Sequence, residues 1–287
     1  MEIGAVLPHN EIGTDPGAIK AYLQGVEDMG FTHLLVYDHI LGADPDRPGG
    51  FKGAYDKHVA FHEPLTFFAF GAACTTTLEF VSTVMILPQR QTVMVAKQAA
   101  EVAVLSNNRV RLGVGTGWNQ IEYVGLNERF DNRGRRQAEQ VELMRLLWAD
   151  DSVNFAGEFH TIDLAGINPR PTKPIPIWFG GSAPALLERC ARLGDGFMPL
   201  GTPNDKSAAL LDTIRGHREA LGLSMDGFGV QAQAQYAGGT PERWAGHADK
   251  WRALGATHMA LATHNAGPTD VDGHLARLRE YGEVVTG

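Results

Sequence analysis

Arg109-Val-Arg-Leu-Gly-Val-Gly-Thr-Gly-Trp118 is the stretch on which the reading of the fold turns. Residues 110–115 are nearly continuous in apolar character, as in a parallel strand buried on both faces. The run stops in three closely spaced glycines, Gly113, Gly115 and Gly117. Residues 175–180, Ile-Pro-Ile-Trp-Phe-Gly, repeat the design, running into Gly181 and Ser182 before a helix opens near Ala183-Pro184. Working outward, similar runs lie at 3–7, 33–37, 80–86, 196–200, 228–235 and 257–263, which makes eight candidate strands. Helical patterns at 16–29, 65–73, 92–105, 132–149, 184–193, 204–221, 240–255 and 269–281 fall between them. Asp15-Pro16 opens the first and Gly30 stops it; Asp131 begins the fourth, Thr240-Pro241-Glu242 opens another, and Thr269 is the expected cap of the last. Eightfold alternation predicts an α/β fold, a (β/α)8 TIM barrel, with a doubly wound sheet as the alternative.

Two stretches exceed a minimal barrel. Residues 39–64 follow the second strand, and loops in that position lie at the catalytic face, so this segment is a candidate lid or substrate wall. Residues 150–174 form an insertion before the fifth strand; Pro169, Pro171, Pro174 and Pro176 predict an extended approach that folds over the barrel. The 287 residues are expected to form one domain, 1–287, because closed barrels commonly reach this length. Two cysteines, Cys74 and Cys190, exclude a disulfide scaffold and suit a reducing cytoplasm. A formal charge of -8 argues against a general nucleic-acid binder. No apolar run approaches the roughly 18 residues of a membrane span, and residues 1–8 do not read as a signal peptide.

Candidate chemistry gathers at strand ends. The Gly115-Thr116-Gly117 and Gly180-Gly181-Ser182 turns offer free amides, the second beside a helix N-terminus, and both suit an anion such as phosphate. An ordinary strand-to-loop turn explains either one alone. The spacing G-x-G-x-G, mid-chain, does not match a nicotinamide fingerprint. Tyr37-Asp38-His39 ends the second strand and places a carboxylate beside an imidazole, fit for proton chemistry; a polar pair bracing the loop is the plainer reading. Ser82 and Thr83 are small polar residues in an apolar strand, either lining a cofactor or carrying satisfied hydroxyls. His58 and His62 are four apart, but their surroundings suit a loop and the pattern is not H-E-x-x-H, so no metal site is expected. Arg133, Arg135 and Arg136 read as a solvated or ion-paired helix face.

These pieces, in this order, resemble the bacterial luciferase-like monooxygenase superfamily, and within it the short deazaflavin (coenzyme F-420)-dependent oxidoreductases. The resemblance rests on Gly30-Phe31 before Asp38-His39, Ser82-Thr83-Val84 before Leu87-Pro88-Gln89-Arg90, the 109–118 stretch, Arg133-Gly134 ahead of Glu139 and Leu143, and Pro169-Arg170-Pro171 before Ile177–Ser182. It implies a flavin-like cofactor at the C-terminal mouth, a non-prolyl cis peptide at Thr83-Val84 against its ring, and a cofactor tail held by the two glycine turns. It also implies Asp38 and His39 near the reactive ring and a homodimer. The superfamily's sugar-phosphate dehydrogenases carry a glutamate directly after the Gly-Thr-Gly turn; here that position is Trp118, which argues against that role. Trp118 and Tyr37 are then candidates for the substrate pocket, and Glu122 is left unassigned.

The implied activity is hydride transfer between F-420 and a small organic substrate, with His39 as general acid/base and Asp38 orienting it or tuning its pKa. Alternatives are a reduced-FMN monooxygenase and a non-catalytic flavin-binding protein.

Overall fold

Buried on both faces, the apolar runs have only one another's backbones to satisfy their amides and carbonyls, and they pair in parallel. A computed structural model of the chain describes residues 1–267 and 269–286. In chain order the elements are β1 (Glu2–Val6), α1 (Pro16–Asp28), β2 (His33–Val36), α2 (Pro64–Cys74), β3 (Glu79–Ile86), α3 (Thr92–Leu105), β4 (Val110–Gly115), α4 (Gln120–Gly125) and α5 (Arg133–Ala149). There follow β5 (Val153–Ala156), β6 (Thr161–Ala165), β7 (Ile177–Gly180), α6 (Pro184–Leu193), β8 (Gly196–Met198), α7 (Asp205–Ala220), β9 (Gly229–Gln235), α8 (Pro241–Ala253), β10 (His258–Ala262) and α9 (Val271–Thr286). Strands β1-β10-β9-β8-β7-β4-β3-β2 close into a barrel, with β1 pairing both β2 and β10 in parallel. The fold is a (β/α)8 TIM barrel, as the sequence predicts. Among the described residues, no helix is long and apolar enough to cross a membrane.

Local signals explain the boundaries. Asp15 accepts a hydrogen bond from the Ala18 amide at 2.7 Å, Pro16 occupies the first turn of α1, and Gly30 follows with φ +79°. Thr240 caps α8 as expected. The cap of α9 is corrected: Asp270, not Thr269, accepts from the Gly273 amide at 2.8 Å.

The 150–174 insertion is not simply extended. Strands β5 and β6 pair as an antiparallel hairpin. Its tip is held against α5 by the Glu139 carboxylate, which accepts from the amides of Glu158, Phe159 and His160. His160 also contacts the Thr92 hydroxyl at the start of α3, at 2.6 Å. The hairpin thus flanks the helical shell. Arg135 pairs with Glu158 of the hairpin and Arg136 with Glu128, matching the ion-pair reading of that basic run.

The core has two layers. Most buried apolar side chains lie between strands and helices. A smaller cluster fills the barrel interior: Val6, Leu35, Val81, Trp178, Met198, Ala260 and Ala262, with Tyr37 and Val84 packed on it. Close strand approach requires glycine. A Cβ at Gly113 would lie 2.1 Å from the Ser82 carbonyl oxygen, whereas one at exposed Gly216 in α7 would meet nothing within 4 Å. Gly113→Ala is therefore expected to lower the melting temperature sharply. Gly216→Ala should raise stability by about 0.5–1 kcal/mol, the helical Gly-to-Ala increment. Thermal unfolding of both variants checks the contrast.

Candidate active site

The C-terminal ends of β2, β3 and β4 and the loops that follow them build the site. His39, just past β2, points Nδ1 at Glu122 of α4, 2.7 Å from Oε1, and the two side chains are 7% and 3% exposed. The same oxygen accepts from the amides of Ile40 (2.9 Å) and Leu41 (3.3 Å), while Oε2 accepts from Gln89 Nε2 at 3.0 Å. Burial alone would raise the Glu122 pKa. The hydrogen bonds from His39, Gln89 and Ile40 outweigh it and hold the carboxyl below its ordinary range. An ionised carboxylate only accepts, so the pairing places the His39 proton on Nδ1. That leaves Nε2 as the working nitrogen, and it is buried without a partner.

Asp38 does something else. One oxygen accepts from the Ile86 amide at 2.8 Å and the other from Arg90 Nη2 at 2.8 Å. Arg90 also binds Glu63, the cap of α2, at 2.8 Å. Burial pushes the Asp38 carboxyl up, against the pull of Arg90. The expectation that Asp38 orients His39 is corrected: its side chain is fully buried and committed to tying β2, the end of β3 and α2 together. Glu122 holds the imidazole instead. Adjacent residues at a strand end point apart, which is why the pair divides this way.

Thr83-Val84 is a cis peptide, as the resemblance implies, and the β3–β4 register shifts there. Val84 rests on both glycine turns: a Cβ at Gly115 would lie 2.5 Å from its Cγ2, and one at Gly180 2.6 Å from its Cγ1. The Ser82 hydroxyl donates to the Gly113 carbonyl at 2.9 Å, the satisfied hydroxyl of the plainer reading. Thr83 belongs to a polar chain across the mouth, in which Tyr37 donates to Gln233 Oε1 at 3.1 Å and Gln233 Nε2 reaches Thr83 Oγ1 at 3.4 Å.

Gly117 and Gly181 adopt φ of +66° and +139°. The Thr116 carbonyl accepts from Tyr123 at 2.7 Å. Ser182 is exposed, and α6 opens after Ala183 without a side-chain cap. Its N-terminal amides and dipole therefore suit an anion, which fits a phosphate-bearing cofactor tail. Trp118 is 52% exposed and stacks on Phe51 of the 39–64 loop, at the rim. His58 is exposed and His62 packs against Phe67.

A model of the luciferase-like monooxygenase family matches residues 1–286. The chain belongs to this family. It is 40% identical over 222 residues to an uncharacterized protein of Mycobacterium tuberculosis, covering 72% of this chain and 76% of that one. It is 32% identical over 189 residues to an F420-dependent glucose-6-phosphate dehydrogenase of Amycolatopsis mediterranei (64% and 53%). It is also 29% identical over 157 residues to an FMNH(2)-dependent dimethylsulfone monooxygenase of Pseudomonas fluorescens (54% and 43%). The chain thus spans about half the length of these two relatives. A solved F420-dependent secondary alcohol dehydrogenase superposes with a TM-score of 0.81 at 16% identity, covering 99% of this chain and 98% of that one, a likeness of fold.

In this luciferase-like barrel the sequence reading had left Glu122 without a role. A signal was available: Asn119 accepts from the Ile121 amide and Glu122 stands three residues on, the spacing of a capping box that starts a helix. His9, Phe61, Gln233 and His264 carried no local signal. Because the Glu122 pKa is depressed, its stabilising contribution is present at neutral pH and lost as pH falls through the folded-state value. Glu122→Gln should therefore destabilise the protein at pH 7 by about 1–3 kcal/mol, and the gap to wild type should narrow toward pH 4. Denaturant unfolding at both pH values reads it.

Proposed function

We propose that this protein is a deazaflavin (coenzyme F-420)-dependent oxidoreductase acting on a small organic substrate, with His39 as its general acid/base. The observation that carries the reading is the His39–Glu122 pair, with Nδ1 tied at 2.7 Å and Nε2 unpartnered. Hydride transfer between a carbon and a deazaflavin needs a proton moved at the substrate oxygen, and an imidazole fixed in one tautomer is suited to that task. Glu122 orients the ring and balances the charge it gains on taking a proton, the role a carboxylate plays behind a catalytic histidine.

Thr83 and Val84 would support the cofactor ring, and Gly115, Thr116, Gly117, Gly180, Gly181 and Ser182 its tail. When bound, the deazaflavin supplies a two-electron hydride carrier. Asp38 acts at one remove, fixing the end of β3 through Ile86 and Arg90. Tyr37 and Gln233 set the floor of the mouth, the 39–64 loop excludes water, and Trp118 stands at the rim. The reduced-FMN reading shares the barrel and the turns. The higher identity to the F420-dependent relative, 32% over 189 residues against 29% over 157 for the FMNH(2)-dependent one, favours the deazaflavin.

His39→Ala is expected to lower kcat for substrate-dependent F-420 reduction by about 10²–10⁴-fold, the usual weight of a general acid/base, with F-420 affinity unchanged. Stopped-flow absorbance on wild type and variant measures it; wild-type turnover in the variant would remove His39 from the mechanism.

A further inference from the structure

Six aromatic rings meet at the barrel mouth. Phe61, from the 39–64 loop, stacks on His9 with centroids 4.2 Å apart and planes at 27°. It presents an edge to His39 at 5.0 Å and to Tyr55 at 4.9 Å. His9 in turn meets Tyr37 at 5.4 Å and His264 at 5.2 Å. The phenyl ring fits among imidazoles as a flat apolar guest does.

It leaves them unsatisfied. His9 is 4% exposed, with the Leu7 backbone the one polar group its ring draws on and no side-chain partner at either nitrogen; His39 Nε2 and His264 Nε2 are buried and unpartnered. Unpaired buried polar atoms on three side chains around one slot are costly, and a hydrocarbon ring cannot relieve them. A ring carrying an oxygen substituent would relieve them and keep the stacking.

The charges narrow the class further. Burial lowers the His9 pKa to about 4, and the ionisable side chains acting on it are His264, His62 and His39. Tyr55 acts on Tyr37, and Glu11 on His264. No lysine or arginine is among these groups, and Glu122 brings a negative charge beside His39. A phosphorylated or carboxylated substrate would lose its hydration there without gaining a cation.

On the reading of His39 given above, we propose that the mouth selects a neutral alcohol or ketone bearing a flat ring, that this ring displaces Phe61 from between His9 and His39, and that the substrate oxygen meets His39 Nε2. His9 is then a specificity-determining residue, and Phe61 is an internal stand-in that leaves when substrate enters.

Isothermal titration of the apoprotein with acetophenone, acetone and glucose 6-phosphate tests this without turnover. Acetophenone should bind at least tenfold tighter than acetone, and glucose 6-phosphate should not bind measurably. Phe61→Ala should tighten acetophenone several-fold, because no side chain has to be displaced, and His9→Ala should weaken it at least fivefold. If His9→Ala does not fold by circular dichroism, His9→Asn replaces it. Weaker acetophenone binding to Phe61→Ala would make Phe61 a fixed wall and overturn the proposal. So would glucose 6-phosphate binding tighter than acetophenone, or no heat from any of the three. Loss of F-420 binding, measured separately, bears on the cofactor reading alone.

Discussion

Val84 occupies the volume that Cβ atoms at Gly115 and Gly180 would need, and the mouth is built around that contact. Three strands, β3, β4 and β7, reach the C-terminal face together, and only glycine lets the side chain lie across the other two. One packing constraint thereby shapes both glycine turns, to which the proposed function assigns a cofactor's ring and tail. Below it an apolar cluster from Val6 to Ala262 fills the interior, together with buried Arg111, which stacks on Trp178 at 4.1 Å.

Two buried carboxylates above that floor show how environment assigns roles. Asp38 and Glu122 are both enclosed, yet Asp38 faces an arginine and Glu122 an imidazole. The Asp38–Arg90–Glu63 chain holds three elements in place and leaves no oxygen for a substrate. Glu122 spends its oxygens on three backbone or amide donors and on His39, and so fixes where the imidazole's free nitrogen points. The site thus rests on a brace and a lever that stand side by side in the sequence at Asp38 and His39.

The barrel was legible because parallel strands buried on both faces must be apolar nearly throughout. The expected runs at 110–115 and 80–86 match the observed β4 and β3 to within one residue. The insertion was less legible: β5 and β6 are mostly exposed, so no burial pattern marks them, and Glu139 of the preceding helix holds their tip. The glycine turns stood out as strand ends rich in free amides and Thr83-Val84 through the family's ordered motifs, and the geometry of Val84 supplies a physical reason for both. Glu122 carried only the capping spacing as a local signal, whereas its partners Ile40 and His39 lie across the mouth. His9, Phe61 and His264 come from three remote segments, and only closure of the barrel brings their rings together.

The most direct test of the account is a fluorescence titration of the purified apoprotein with oxidised F-420 and, separately, with FMN. Tight binding of F-420 with weak binding of FMN is the predicted result, and Gly180→Ala should abolish it by driving a Cβ into Val84. Preference for FMN would contradict the account and make the His39–Glu122 pair part of an oxygen-dependent enzyme. Binding of neither would leave the glycine turns as structure alone.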